Sequence, residues 1–257
     1  RPGEETPRDV TLTREAIRSE SVKHELLESG YGYLRISQFQ SLTAEQARQA
    51  LQRMSADQAL EGLVLDLRNN PGGILQSAVD IADLFLDDGL VVYTEGRLSN
   101  TQMSYSATTD TPAAEVPLVV LVNSGSASAA EIVAGAIQDQ RRGVIMGTDS
   151  FGKGSVQQIM PLDNGEGLKL TTALYYTPDG RSIQAQGISP DVDVVRGRLE
   201  VAESRREVRE ADLEGHLESQ NEARDRQAMS QRLRDDYQLG EALNLLKALN
   251  VVDRRRR

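Results

Sequence analysis

One stretch of the sequence combines a buried strand, a tight turn and a helix, and it limits the fold more than any other. The strand is the aliphatic run Leu118–Val122, which is typical of a strand buried on both faces of a parallel sheet. Small residues follow it, and an apolar pattern with helical spacing runs from Ile132 to Ile137. Strand and helix patterns alternate in the same way along the preceding chain, which indicates βαβ units. We therefore expect an α/β fold around a parallel sheet.

The other predicted elements come from the same two periodicities. Thr43 with Gln46 suggests a capping box at the start of one helix. The segment between residues 99 and 110 is rich in Ser and Thr and is interpreted as a loop or an exposed hairpin. The core strands are predicted at Tyr31–Ser37, Gly62–Leu67, Leu90–Thr94 and Gly143–Gly147, the helices at Thr43–Met54 and Ile74–Leu86, and an added β-hairpin at Val156–Met160 and Leu168–Tyr176.

Ser128 lies where the helix after Leu118–Val122 begins, and two interpretations of it are open. Glu131 follows three residues later, so the serine could be half of a capping box. A nucleophile is the alternative, because a hydroxyl at a helix N-terminus lies beside free backbone N–H groups that suit an oxyanion.

A serine nucleophile needs a base, and the candidates are few. The two histidines, His24 and His216, lie outside the loops that follow core strands, which makes a Ser-His-Asp triad a poor fit. Lys153 stands between glycines just after the strand Gly143–Gly147. Free lysine has a pKa of about 10.4, and burial in apolar surroundings lowers the pKa of such a group, so a neutral amine needs an uncharged setting. The residues next to Lys153 in sequence are uncharged, which favours a base over a solvated loop lysine.

At these positions the sequence resembles the carboxyl-terminal processing proteases, also called tail-specific proteases. The shared motifs are S-A-S-A-A-E-I around Ser128, F-G-K-G around Lys153 and a glutamine four residues after the lysine. The resemblance covers roughly Val10 to Val195 and implies a Ser-Lys peptidase with a ClpP/crotonase-like fold. It implies that Ser128 is the nucleophile, Lys153 the general base and Gln157 the residue that orients the lysine.

The motif D-L-R-N-N-P-G-G ends the strand Gly62–Leu67. Glycines allow a sharp turn and a close approach of the backbone to a ligand, although an ordinary strand-to-helix turn would use them equally well. In the resembling family this motif supplies one oxyanion donor, and the residue after the nucleophile supplies the other. The resemblance thus assigns the oxyanion hole to the backbone of Gly73 and Ala129, with Gly72 as the alternative to Gly73.

Composition excludes several other classes of function. The net charge is −10, which argues against a nucleic-acid partner. With no cysteine and two isolated histidines, we expect no cofactor and no metal site. No apolar run approaches the roughly 20 residues of a membrane helix, and no signal peptide is found. The chain starts at Arg1 without a methionine, so we expect a fragment, and the absence of cysteine fits a bacterial periplasmic or cell-envelope protein.

We expect three segments along the chain. Residues 1–14 are interpreted as the exit of a PDZ domain and a linker, residues 15–198 as the protease core, and residues 199–257 as a polar helical extension. An apolar stripe in the extension could pack on the core or on a second copy, and the hypothesis preferred here is a homo-oligomer contact. The stripe consists of Leu239, Leu243, Leu246 and Leu249, widened by Ala242 and Leu245.

The function expected from the sequence is a serine endopeptidase that acts on protein or peptide substrates. The resemblance implies partly unfolded substrates with apolar C-termini, and a protein activator or adaptor remains an open expectation. Two alternatives from other classes are a crotonase-like acyl-coenzyme A enzyme, which would use the P-G-G turn without a Ser-Lys pair, and a non-catalytic assembly protein that works through its tail.

Overall fold

The computed structural model describes residues 20–98, 101–109, 111–200 and 231–256. In these ranges the protein is a mixed α/β fold with two sheets, and its elements are numbered in chain order. The strands are β1 Val22–Glu28, β2 Tyr31–Ile36, β3 Gly62–Asp66, β4 Leu90–Gly96, β5 Met103–Ser106, β6 Leu118–Val122, β7 Val144–Gly147, β8 Ser155–Pro161, β9 Gly167–Tyr176 and β10 Val192–Asp193. The helices are α1 Thr43–Met54, α2 Leu75–Asp83, α3 Ala129–Asp139, α4 Gln231–Asp235 and α5 Tyr237–Arg256.

The main sheet has six strands in the order β1-β2-β3-β6-β7-β10. Strands β2, β3, β6, β7 and β10 are parallel, and β1 joins the edge antiparallel to β2. Every residue of β3 and β6 is buried, as their uninterrupted aliphatic sequences predicted. Because β3 and β6 are neighbours, the two turns that follow them lie at the same edge of the sheet.

Each face of the main sheet is covered by helices. Leu63 and Leu65 of β3 face the larger core, where α1, α2 and α3 pack. Val64, which points to the opposite face, packs in a second core with side chains of α4 and α5. The sheet is therefore the middle layer of a helix–sheet–helix sandwich.

The second core corrects the preferred hypothesis about the apolar stripe. Leu239, Leu243 and Leu246 are buried against Val119 and Leu121 of this chain's own β6, with Ala242 in the same core. The stripe is covered within the chain because it complements an apolar sheet face that would otherwise meet water. It is not available to a second copy, so the predicted oligomer contact through this surface is wrong.

The second sheet has four antiparallel strands in the order β5-β4-β9-β8. The predicted hairpin is present as β8 and β9. The strand predicted at Leu90–Thr94 exists as β4, but it pairs with β5 and β9 in this second sheet, so its assignment to the parallel core was wrong. Local apolar patterns do not say which sheet a strand joins, because pairing is decided by distant residues.

The structure also tests the predicted start of helix α1. Helix α1 has the predicted bounds, but the capping box of Thr43 and Gln46 is wrong: the N-cap residue is Leu42, and the Thr43 hydroxyl instead accepts the N–H of Gln40 at 2.8 Å. Residues 1–14 and much of the extension lie outside the described ranges, and the three segment boundaries stay predictions. Among the helices that the structure describes, none is long and apolar enough to cross a membrane.

Candidate active site

The turns after β3 and β6 are joined by hydrogen bonds between side chains and backbone. The Ser126 hydroxyl donates to the carbonyl of Leu67 at 2.8 Å, and the Ala127 N–H donates to the carbonyl of Asn70 at 2.9 Å. The Asn123 side-chain oxygen accepts the N–H of Asn69 at 2.9 Å. The two motifs that the sequence singled out are thus fixed to one another at the carboxyl edge of the sheet, where α/β folds place their sites.

Ser128 occupies the N-cap position of α3 in an unusual backbone conformation. Its φ is 56° and its ψ is −113°, whereas a residue other than glycine rarely adopts a positive φ. Such strain persists only where surrounding contacts hold it, and it is typical of functional turns. The strand, turn and helix predicted around Ser128 are confirmed, and so is the capping box that Ser128 forms with Glu131.

Gly72 approaches the serine turn, and Gly73 approaches Phe39, so closely that neither position has room for a side chain. A Cβ on Gly72 would lie 2.8 Å from the Cβ of Ser128 and 3.0 Å from the backbone nitrogen of Ala129. A Cβ on Gly73 would lie 2.0 Å from the carbonyl oxygen of Phe39. Both glycines also have positive φ, 97° and 147°. Gly72 is thus required by a close approach to the turn of the nucleophile candidate, and Gly73 by a close approach to the backbone of Phe39.

The hydrogen bonds separate Gly72 from Gly73 as donors. The N–H of Gly72 is bound to the Asn70 side-chain oxygen at 2.9 Å, and Phe39 pairs with the Gly72 carbonyl and the Ile74 N–H. Neither the N–H of Gly73 nor that of Ala129 has a hydrogen-bond partner in the described part of the chain. These two N–H groups, on adjacent turns, are available to a ligand oxygen.

Glu131 connects the serine turn to the lysine loop, and sequence reasoning saw only half of its role. The residue is fully buried, and its Oε2 accepts the N–H of Ser128 at 2.7 Å and the N–H of Lys153 at 2.9 Å. Its Oε1 accepts the N–H of Gly152 at 2.5 Å and the hydroxyl of Ser150 at 2.6 Å. The backbone nitrogens of Ser128 and Lys153 therefore share one oxygen and are no further apart than the sum of those two distances.

The side chain of Lys153 is partly buried and belongs to no ion pair among the described residues. The expectation of uncharged surroundings was nevertheless incomplete, because the buried Glu131 side chain lies at the base of its loop. Gln157 lies on β8 beside a β-bulge, and its side chain is exposed and has no hydrogen bond within the described ranges. The structure thus brings together the backbones of Ser128, Lys153, Gly73 and Ala129, and no hydrogen bond among the described residues joins the Gln157 side chain to them.

A buried charge cluster behind the Gly73 turn was missed from the sequence. Asp66 is fully buried and binds Tyr33, Arg35 and Arg68. Burial raises the pKa of the Tyr33 phenol, and the Asp66 carboxylate raises it further. Burial alone would lower the pKa of Arg68, but its bonds to two carboxylates raise that pKa above its ordinary value. The available signal was the pair of charges in D-L-R directly after an aliphatic strand.

The chain is similar in sequence to a known peptidase family and to individual proteases. The sequence profile of Peptidase family S41 matches residues 30–194, which include both turns and the lysine loop. A carboxy-terminal-processing protease from Bartonella bacilliformis is 44% identical over 255 residues, which are 95% of this chain and 58% of that protein. A carboxyl-terminal-processing protease from Synechocystis is 42% identical over 205 residues, covering 78% of this chain and 47% of the relative.

A solved structure gives the same result for the fold. The photosystem II D1 C-terminal processing protease superposes with a TM-score of 0.63 at 38% identity, over 72% of this chain and 50% of that one. The chain therefore spans about half the length of the relatives it matches. Since the family profile covers well over half of the sequence and coincides with the site described above, this chain belongs to peptidase family S41.

Proposed function

We propose that the protein of which this chain is part is a serine endopeptidase of the carboxyl-terminal processing type, and that Ser128 and Lys153 form its catalytic dyad. The observation that carries the proposal is the Glu131 oxygen shared by the N–H groups of Ser128 and Lys153. It fixes the backbones of the proposed nucleophile and base beside the N–H groups of Gly73 and Ala129, which have no partner among the described residues. Nucleophile, base and oxyanion donors are the three components that acyl transfer requires.

The proposed reaction passes through an acyl-enzyme. The neutral amine of Lys153 takes the proton of the Ser128 hydroxyl, and the serine oxygen attacks the scissile carbonyl carbon. The N–H groups of Gly73 and Ala129 hold the resulting oxyanion. The Lys153 ammonium then protonates the leaving amine as the C–N bond breaks, and water hydrolyses the ester to regenerate the serine.

Gln157 remains the proposed orienting residue, and its exposed position on β8 suggests when it would act. An amide can bind the lysine amine without adding charge, whereas a carboxylate there would hold the amine protonated. Because catalytic hydrogen bonds often tighten only when substrate is bound, we expect Gln157 to reach the amine in the substrate complex.

The wider assignments rest on the family and on the rim of the site. We infer a ClpP/crotonase-like fold and protein substrates with apolar C-termini. Ile74, directly after Gly73, is 48% exposed, and Phe151, directly before the Gly152–Lys153 loop, is 66% exposed, so apolar side chains border the site. We expect a bacterial periplasmic or envelope location and leave a protein adaptor as an expectation.

The two alternatives lose support for specific reasons. A crotonase-like acyl-coenzyme A enzyme would use the Gly73 turn but would not need Lys153 beside Ser128. A non-catalytic assembly protein would bind partners through the apolar stripe of its C-terminal extension. Leu239, Leu243 and Leu246 of that stripe are buried within the chain itself.

The test uses a serine-directed fluorophosphonate probe and a peptide-hydrolysis assay on the wild type, Ser128→Ala, Lys153→Ala and Lys153→Arg. We expect the probe to label Ser128 of the wild type and all three variants to lose hydrolysis, because a guanidinium cannot act as a base. Ser124→Ala, in the same loop, is the matched control. Turnover like that of the wild type in any of the three variants would overturn the dyad.

A further inference from the structure

The C-terminal helix α5 lies outside the family match, yet it packs on the two strands that carry the proposed site. The match ends at residue 194, and α5 begins at Tyr237. Its side chains are buried against Val64 of β3 and against Val119 and Leu121 of β6. The helix therefore covers the face of the sheet directly behind the turns that end in Gly73 and Ser128.

Asp236, at the start of α5, is bound to the Gly73 turn through Arg68. The two terminal nitrogens of Arg68 donate to Asp236 Oδ1 at 2.8 Å and Oδ2 at 2.7 Å, a bidentate pair. Arg68 also donates from Nε and a terminal nitrogen to the two oxygens of Asp66, and from the other terminal nitrogen to Gln238. All five N–H groups of the guanidinium are thus used, which fixes its orientation completely.

The bidentate pair of Arg68 and Asp236, which we call the clamp, is also connected to the start of α5 and to the end of the core. Asp236 Oδ1 accepts the N–H of Leu239 at 3.2 Å, so the carboxylate caps α5 while it binds Arg68. Gln238 is buried and donates to the carbonyl of Val194 at 2.6 Å. Burial raises the pKa of Asp236, but Arg68, the N–H of Leu239 and Arg232 together lower it by more, so the carboxylate is held in its charged form.

The turn that follows Arg68 has little freedom to adjust if the clamp is lost. Asn69, Gly72 and Gly73 all have positive φ, and the Asn70 carbonyl and amide are both committed to neighbouring segments. A guanidinium deprived of Asp236 would be a buried charge with three of its five hydrogen bonds and would move toward water. That movement would pass along the tight turn to the N–H of Gly73.

We propose that Asp236 is a positioning residue: through Arg68 it holds the Gly73 turn in place, so docking of the C-terminal helix sets the activity of the site. The inference rests on the proposed function of Gly73 and gives that site a point of control. Any event that lifts α5 from the sheet would loosen the oxyanion donor without touching Ser128 or Lys153.

The experiment compares Asp236→Asn with Asp235→Asn, a matched change at an exposed neighbour. We expect Asp236→Asn to lower kcat at least tenfold with KM changed less than twofold, and to speed amide hydrogen exchange at residues 69–74. Asp235→Asn should match the wild type in both measurements. Equal kcat in the two variants, or faster exchange confined to α5, would overturn the inference.

Two further measurements keep the result interpretable. If circular dichroism shows Asp236→Asn to be unfolded, Asp236→Glu replaces it, since this variant keeps the charge while displacing the oxygens. A partial loss of kcat with faster exchange at residues 69–74 supports the inference, and wild-type values in both contradict it. If the wild type hydrolyses no peptide, the proposed function fails, while hydrogen exchange still tests the link between Asp236 and the turn.

Discussion

Replacing Glu131 by glutamine tests the geometry of the site without changing the size of the side chain. The two carboxylate oxygens accept four donors, two at each oxygen. A glutamine has one oxygen and one NH₂ group, so whichever way it is placed, the NH₂ faces two donors. The Ser150 hydroxyl can rotate and accept, which makes the Oε1 position the less costly one for the NH₂. The N–H of Gly152 would then have no acceptor.

The loss in the free energy of unfolding follows from the number of donors left without a partner. One unsatisfied buried N–H costs about 1–3 kcal/mol, and the bonds that remain lose the strength that a charged acceptor gave them. A loss of about 2 kcal/mol should lower the unfolding midpoint by roughly 4–8 °C in a chain of this size. Glu131→Ala leaves all four donors and a cavity, so its loss should reach about 4–5 kcal/mol.

The loss of kcat, expressed as a free energy, should exceed the loss in the free energy of unfolding. The N–H of Gly152, directly before Lys153, loses its acceptor, and a neutral oxygen holds the N–H groups of Ser128 and Lys153 more weakly than a carboxylate does. The lysine loop can then shift relative to Ser128, and a displacement near 1 Å can cost about 100-fold in rate. We expect kcat of Glu131→Gln to fall about 100-fold with KM nearly unchanged, as measured by peptide hydrolysis and thermal unfolding. Glu45→Gln, on the exposed face of α1, is the control. The reasoning is refuted if both glutamine variants have equal kcat and equal midpoints.

Three other outcomes are expected. The rate of peptide hydrolysis should rise from neutral to mildly alkaline pH, because Lys153 is proposed to act as a neutral base; a flat profile with a folded protein would contradict that role. Leu243→Ala should cost about 2–5 kcal/mol in thermal unfolding, since Leu243 is 2% exposed, and Val251→Ala, at an exposed site on the same helix, should cost almost nothing. The folded-state pKa of Asp236 lies below its ordinary 3.8, so its stabilisation is complete above that pH and is lost as the pH falls through the folded value. The difference in unfolding midpoint between wild type and Asp236→Asn should therefore shrink between pH 7 and pH 3, and a constant difference would count against the ion pair.

Much of the fold could be predicted because the strongest signals are local. The uninterrupted aliphatic runs that became β3 and β6 are buried on both faces, and a run of that kind has few other uses. Turn chemistry was equally local, since Gly72 and Gly73 have the positive φ that glycine permits. Adjacent parallel strands bring their carboxyl ends together, so the neighbourhood of Ser128 and the P-G-G turn followed once the topology was guessed.

The errors came from contacts that join distant parts of the chain. The apolar pattern of β4 did not reveal that its partners are β5 and β9. Thr43 looked like a helix cap, but its hydroxyl accepts the N–H of Gln40. Gly72 could be separated from Gly73 only by the side chain of Asn70, which occupies the N–H of Gly72. Spacing could suggest Glu131 as a cap, but not that its second oxygen would bind Ser150 and Gly152.

The C-terminal extension shows that an apolar stripe must be considered together with the surface that covers it. An apolar stripe on a helix must be covered, and the sequence alone allowed either the parent sheet or a second copy. Val64, Val119 and Leu121 also need cover, because a parallel sheet between helices is apolar on both faces. A domain that ended at residue 198 would expose that face and would deprive the buried Arg68 of one of its two carboxylates. Both costs disappear together when α5 docks, so the helix forms the third layer of the same sandwich.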